Sequence, residues 1–151
     1  GPPPVVAALL RTVPGAGALM AAALRAAGPR TVDRGLRRAW HDPSAMPEPL
    51  RASYLSMLTD RSFAGALVEM TRAVAPLDLA PRLGEIGVPV LVVTGDDDRI
   101  VPVADSRRVA AALPAAELVV VPECGHCAHE EKPDEVVAAV ESFLARTGLT
   151  G

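Results

Sequence analysis

Two short apolar runs, each ending in a polar turn, constrain the fold of this chain more than any other feature. Val90-Leu91-Val92-Val93 passes through Thr94-Gly95 into Asp96-Asp97-Asp98-Arg99-Ile100-Val101-Pro102. Leu118-Val119-Val120-Val121 passes through Pro122 into Glu123-Cys124-Gly125-His126. Continuous apolar runs of this length, rich in β-branched residues, read as strands buried on both faces, as in a parallel sheet. Asp105, Val109 and Leu113 mark a helix between them, ended by Pro114. A final helix opens at Pro133-Asp134-Glu135, with Pro and acids suited to a first turn. It carries the stripe Val136, Val140, Phe143, Leu144 and stops after Arg146 at Gly148. The order strand, helix, strand, helix predicts a right-handed βαβ unit with one more helix.

Residues 1 to about 80 read differently. They are helical segments punctuated by Pro and Gly, with no strand pattern. Val5–Leu10 and Ala18–Leu24 are short apolar pieces, and Trp40-His41-Asp42-Pro43 is a loop, because the residue before Pro leaves the helical region. Pro49 opens a helix through Leu50, Tyr54, Leu55, Met57 and Leu58, and a further helix carries Phe63, Leu67, Met70, Thr71 and Val74. The expected organisation is therefore α/β: a helical region over 1–80, then a βαβα segment over 81–151. Aromatic residues make up only 3% of the chain, so the core has to be built from Ala, Val and Leu.

Parallel neighbouring strands bring their carboxyl ends to one sheet edge, about 4.8 Å apart when directly paired. An acid after the first strand and a histidine after the second can then meet. The carboxylate would fix the imidazole tautomer and stabilise the imidazolium formed when the other nitrogen takes a proton. Three aspartates compete for the role. Asp98 is favoured because Ile100-Val101-Pro102 can re-anchor the loop behind it, leaving Asp96 and Asp97 as solvated turn acids.

These turns are similar to those of a known family. Gly95-Asp96-Asp97-Asp98-Arg99-Ile100-Val101-Pro102, then Gly125-His126 with Glu131 and Pro133 behind it, resembles the C-terminal part of the α/β-hydrolase fold. The resemblance implies a partial α/β-hydrolase fold: a helical cap or lid over 1–80, then the strands bearing the acid and the histidine. It maps the triad acid onto Asp98 and the triad base onto His126. It covers roughly residues 81–145 strongly and the cap weakly. The implied function is hydrolysis of a small ester-like substrate, although the scaffold also handles lactones, amides, epoxides, haloalkanes and C–C bonds. Trp40, Tyr54 and Met70 are weak candidates for lining a substrate pocket in the cap.

The family's nucleophile sits at a Gly-x-Ser-x-Gly elbow after an earlier strand. No such pattern occurs here, and the six serines (Ser44, Ser53, Ser56, Ser62, Ser106, Ser142) lack flanking glycines. With no nucleophile in this chain, it is expected to be inactive alone and to belong to a hydrolase when complete. The absence of an initiator Met before Gly1-Pro2 is read as a cleavage scar or a cut through a longer chain. The strand at Val90 is expected to have a neighbour on its other side, so the expected partners are a missing N-terminal half of the fold or a second copy at the exposed sheet edge.

Rival readings are weaker. An intact acid and histidine argue against a non-catalytic hydrolase-like interaction module. Cys124-Gly125-His126-Cys127 spells a thiol-disulfide oxidoreductase dithiol, but too little chain follows it for that fold. Cys124, His126, Cys127 and His129 are too tightly spaced for a zinc site, so no metal and no cofactor is expected. A formal net charge of −3 with scattered basic residues gives no nucleic-acid stripe. No apolar run approaches the roughly 18 residues that span a membrane, and no signal peptide is visible. A cytoplasmic protein acting on a small molecule is expected.

Overall fold

The computed structural model describes residues 13, 15–26, 28–74 and 79–148. The expected helical piece at Val5–Leu10 lies outside them. The chain resolves into two compact units. The first takes the described residues up to Leu36 and from Pro47 onward to residue 74. The second takes Arg37–Met46 together with the described residues from Leu79. On sequence the chain is expected to divide once, near residue 80. Residues 37–46 are the difference: they group with the strands, because the backbone of this segment hydrogen-bonds to the histidine turn, a link between positions nearly ninety residues apart.

The first unit is helical: α1 (Ala16–Ala26), α2 (Gly28–Arg38), α3 (Glu48–Thr59) and α4 (Arg61–Val74). α2 starts at Gly28-Pro29. Gly28 takes a left-handed φ of 70°, and Pro29 lacks the N–H that a first turn would leave unpaired anyway. Ala21, Ala64 and Val68 form a small buried cluster, with Ala16 and Met20 packed on it. Arg51 Nε donates to Asp33 Oδ1 at 2.7 Å and fastens α3 to α2. Side chains this small leave space. Gly15, Gly17, Ala18, Ala21, Gly65, Val68 and Glu69 line a cavity of about 410 Å³.

The second unit holds a 3₁₀ turn (Ala80–Glu85), β1 (Val90–Gly95), α5 (Val103–Ala112), β2 (Ala116–Val121), α6 (Ala128–Glu131) and α7 (Pro133–Thr147). The strands pair in parallel from Val90 opposite Ala116 to Gly95 opposite Val121. Val121, Cys124 and Ala128 make its buried cluster, backed by Val93, Val119 and Val136. Strand residues 90–93 are half-buried, where the apolar run suggests burial on both faces; among the described residues β1 pairs only with β2, and a two-stranded sheet covers little of either strand. Within α7, Phe143 is buried while Val140 is exposed. Gly148 closes α7 in the left-handed conformation at φ 68°, its N–H donating to Leu144 O, as a C-terminal glycine stop does.

Candidate active site

The register places Gly95 directly opposite Val121, so the two turns leave the sheet side by side. They are then laced together. Asp96 N–H donates to Val121 O at 2.9 Å and Asp97 N–H to Cys124 O at 3.0 Å. Cys124 N–H donates to Asp96 Oδ1 at 3.3 Å. Glu123 takes a left-handed φ of 50°, uncommon for a residue with a side chain, and turns the chain toward His126. Nothing in the sequence marks that position.

His126 Nδ1 lies 2.8 Å from Asp98 Oδ2. An ionised carboxylate only accepts, so Nδ1 carries the proton and the neutral ring leaves Nε2 as a free acceptor. Asp98 has further support on its other side. Oδ1 accepts the N–H groups of Ile100 and Val101, both at 2.8 Å. The side chain of Asp98 is 5% exposed and that of His126 40%, which is the asymmetry a buried acid and an accessible base require. Burial pushes the Asp98 pKa up, but the hydrogen bonds from His126, Val101 and Ile100 outweigh it and leave the carboxyl below its ordinary range. Asp98 is therefore ionised throughout the neutral range.

Asp97 is not a solvated turn acid. Its Oδ2 lies 2.9 Å from His41 Nδ1, and Arg99 pairs with the same carboxylate. Burial raises the Asp97 pKa, and the bonds from His41 and Arg99 pull it below the usual value. A second imidazole–carboxylate pair thus stands next to the first. His41 lies 56 positions from its partner in the chain, and no local pattern links the two.

The weak pocket candidates do not share one unit. Trp40 belongs to the second unit and is 2% exposed. Tyr54 on α3 and Met70 on α4 belong to the first, where Met70 is exposed and neither lines the 410 Å³ cavity. The His129 side chain is 72% exposed.

The two cysteines are free thiols. Burial, then the Glu131 carboxylate, pushes Cys124 up to about 11. Burial, then Glu130, pushes Cys127 up to about 11. Burial first and the neighbouring carboxylates second hold both thiols in the protonated form at neutral pH. Iodoacetamide at pH 7 should therefore label both thiols about 100-fold more slowly than free cysteine. One fast-reacting thiol, seen by mass spectrometry, would reopen the dithiol reading. Among the described residues no group of three His, Cys, Asp or Glu side chains assembles as a metal site, and no helix is long and apolar enough to cross a membrane.

A family model described as the alpha/beta hydrolase family matches residues 2–139. The chain belongs to the alpha/beta hydrolase family. Its two turns are thus those of a hydrolase fold, as their resemblance implied. The chain is 44% identical over 69 residues to a 2-hydroxy-6-oxononadienedioate/2-hydroxy-6-oxononatrienedioate hydrolase of Klebsiella pneumoniae, covering 46% of this chain and 24% of that protein. It is 44% identical over 68 residues to a 2-hydroxy-6-oxo-6-phenylhexa-2,4-dienoate hydrolase of Burkholderia cepacia, covering 45% and 24%. The chain therefore spans about a quarter of the length of the curated relatives it matches. Among solved structures, the 2-hydroxy-6-oxo-6-phenylhexa-2,4-dienoate hydrolase of Rhodococcus sp. strain RHA1 aligns with a TM-score of 0.68 at 26% identity, over 83% of this chain and 49% of that one. An esterase of Exiguobacterium antarcticum aligns with a TM-score of 0.67 at 17% identity, over 85% and 47%, and shares the fold.

Proposed function

We propose that Asp98 and His126 are the acid and base of a nucleophile–histidine–acid triad whose nucleophile comes from polypeptide outside these 151 residues. The observation that carries this reading is the 2.8 Å bond between a 5%-exposed carboxylate and an accessible imidazole at adjacent strand tips. In the assembled enzyme, His126 Nε2 takes the proton of the nucleophile as that group attacks an electrophilic carbonyl carbon. The imidazolium then protonates the leaving group, and Asp98 balances the charge. A water molecule, deprotonated at the same nitrogen, cleaves the covalent intermediate and restores the nucleophile. The substrate is a small carbonyl compound: an ester, or a 2-hydroxy-6-oxo-dienoate of the kind named for the relatives above. The helical region expected over 1–80 is read as the cap of the fold, with Tyr54 and Met70 on its helices α3 and α4. Co-expression with a segment carrying strand, Gly-x-Ser-x-Gly and helix tests the reading. Hydrolysis of a p-nitrophenyl ester or a 2-hydroxy-6-oxo-dienoate should appear only in the pair, and activity untouched by His126→Ala would end the proposal.

The same reading assigns a role to the open side of β1, which takes the next parallel strand of the sheet. Alone, the chain satisfies that row of N–H and C=O groups by pairing with another copy. Size-exclusion chromatography with light scattering should therefore give a dimer or larger species. A compact monomer with a cooperative melt is the contrary result.

A further inference from the structure

Glu131, behind the histidine turn, is an acid that the proposed chemistry leaves without a task. It ends the single-turn helix α6, and its carboxylate reaches back to the turn and across to the 39–42 segment. Oε2 accepts Gly125 N–H at 2.6 Å. Oε1 accepts His41 N–H at 2.8 Å and Asp42 N–H at 3.0 Å. One residue on from Gly125, His126 N–H donates to Ala39 O at 2.6 Å. Two successive amides of the histidine turn are thus anchored to the same distant segment, one directly and one through Glu131.

Sterics leave the side chain little substitute. A Cβ on Gly125 would stand 2.8 Å from both His41 N and Trp40 Cα and closer still to Ala39 O. The two backbones already touch, and N–H groups from both converge on one place. Only an acceptor with two oxygens can serve donors on both sides at once, and a carboxylate accepts charge-assisted bonds that are stronger than neutral ones. An amide cannot replace it, because its NH₂ would face one of these N–H groups, donor against donor.

The consequence falls on His126. Its side chain is 40% exposed, so packing restrains the ring weakly. Its bearing depends on the Asp98 bond and on where the backbone delivers its Cα. Asp98 is held by Ile100 and Val101; the histidine half needs its own support. We propose that Glu131 is a positioning residue that clamps Gly125 to the His41-Asp42 backbone and thereby holds the His126 ring within bonding distance of Asp98. The inference rests on the triad reading of that pair.

The test uses the full 151-residue chain and nuclear magnetic resonance. The proton shared by His126 Nδ1 and Asp98 should give a downfield resonance that Asp98→Asn removes. In Glu131→Gln that resonance is expected to vanish or broaden while the far-ultraviolet circular dichroism and the melt stay those of a folded chain. A purely structural glutamate would move the melt and leave the resonance in place. In the unmodified chain, the Gly125 and His41 amides should exchange at least about 100-fold more slowly than in an unstructured chain. This second measurement decides the matter if Glu131→Gln does not fold. An unprotected Gly125 amide, or an unchanged resonance in folded Glu131→Gln, overturns the clamp. A downfield resonance absent from the unmodified chain, with Gly125 protected, overturns the pairing of His126 with Asp98 instead.

Discussion

His126→Ala should lower the turnover of the assembled hydrolase by about 10⁶-fold, and Asp98→Asn by about 10⁴-fold. The two differ for a chemical reason. Removing the imidazole leaves no base to take the nucleophile's proton. Replacing the carboxylate by an amide leaves a base, but an amide can offer His126 Nδ1 an N–H as readily as an oxygen, so the tautomer with its proton on Nε2 becomes accessible. That tautomer cannot accept the nucleophile's proton. The bonds that Ile100 and Val101 donate to Oδ1 hold the side chain in place, and an amide oxygen at the same position accepts them too. Asp98→Asn therefore tests charge and tautomer more than placement. Both variants should fold with the parent's circular dichroism and bind substrate with KM changed little, because neither group is asked to bind the ground state. Steady-state kinetics of the co-expressed pair checks this. Equal turnover in parent and His126→Ala would remove the base from the mechanism.

The second large effect is on stability. Gly95→Ala should cost about 3 kcal/mol, and Gly125→Ala a similar amount. A Cβ at Gly95 would lie inside the contact radius of the Cys124 and Gly125 carbonyl oxygens, and one at Gly125 would lie against Ala39 O, His41 N and Trp40 Cα. These obstacles are backbone atoms that cannot swing aside as a long side chain can. The cost is a displaced turn, which also separates His126 from Asp98. Gly84→Ala is the control: nothing lies within 4 Å of the Cβ it would add, so its effect should stay within about 0.5 kcal/mol. With a urea slope of roughly 1.5 kcal/mol/M, the two costly substitutions move the midpoint down by about 2 M and the control hardly at all. Midpoints that match the control would mean that the turns do not approach one another as described.

Local chemistry made much of this protein legible. The runs at Val90 and Leu118 are strands because β-branched residues favour the extended backbone, and Pro133 and Gly148 bound a helix because each fits only one end of it. Parallel strands share an edge, so Asp98 and His126 could be paired on the sequence alone. The Gly28-Pro29 start of α2 is harder to read, since the same dipeptide ends helices and begins them.

What the linear chain could not disclose is what each polar group would find across space. Asp97 looks like a turn acid and instead holds His41; Glu131 looks like part of a motif and instead binds three amides, one in the adjacent histidine turn and two in the distant 41–42 segment. Trp40-His41-Asp42-Pro43 reads as a loop of the helical region, yet it groups with the strands. Periodicity and turn chemistry act over a few neighbouring residues and are written in order along the chain. Hydrogen bonds between residues 41 and 97, or 41 and 131, and the contact that denies Gly125 a side chain, exist only once the backbone has closed on itself, and they are what the tertiary structure decided.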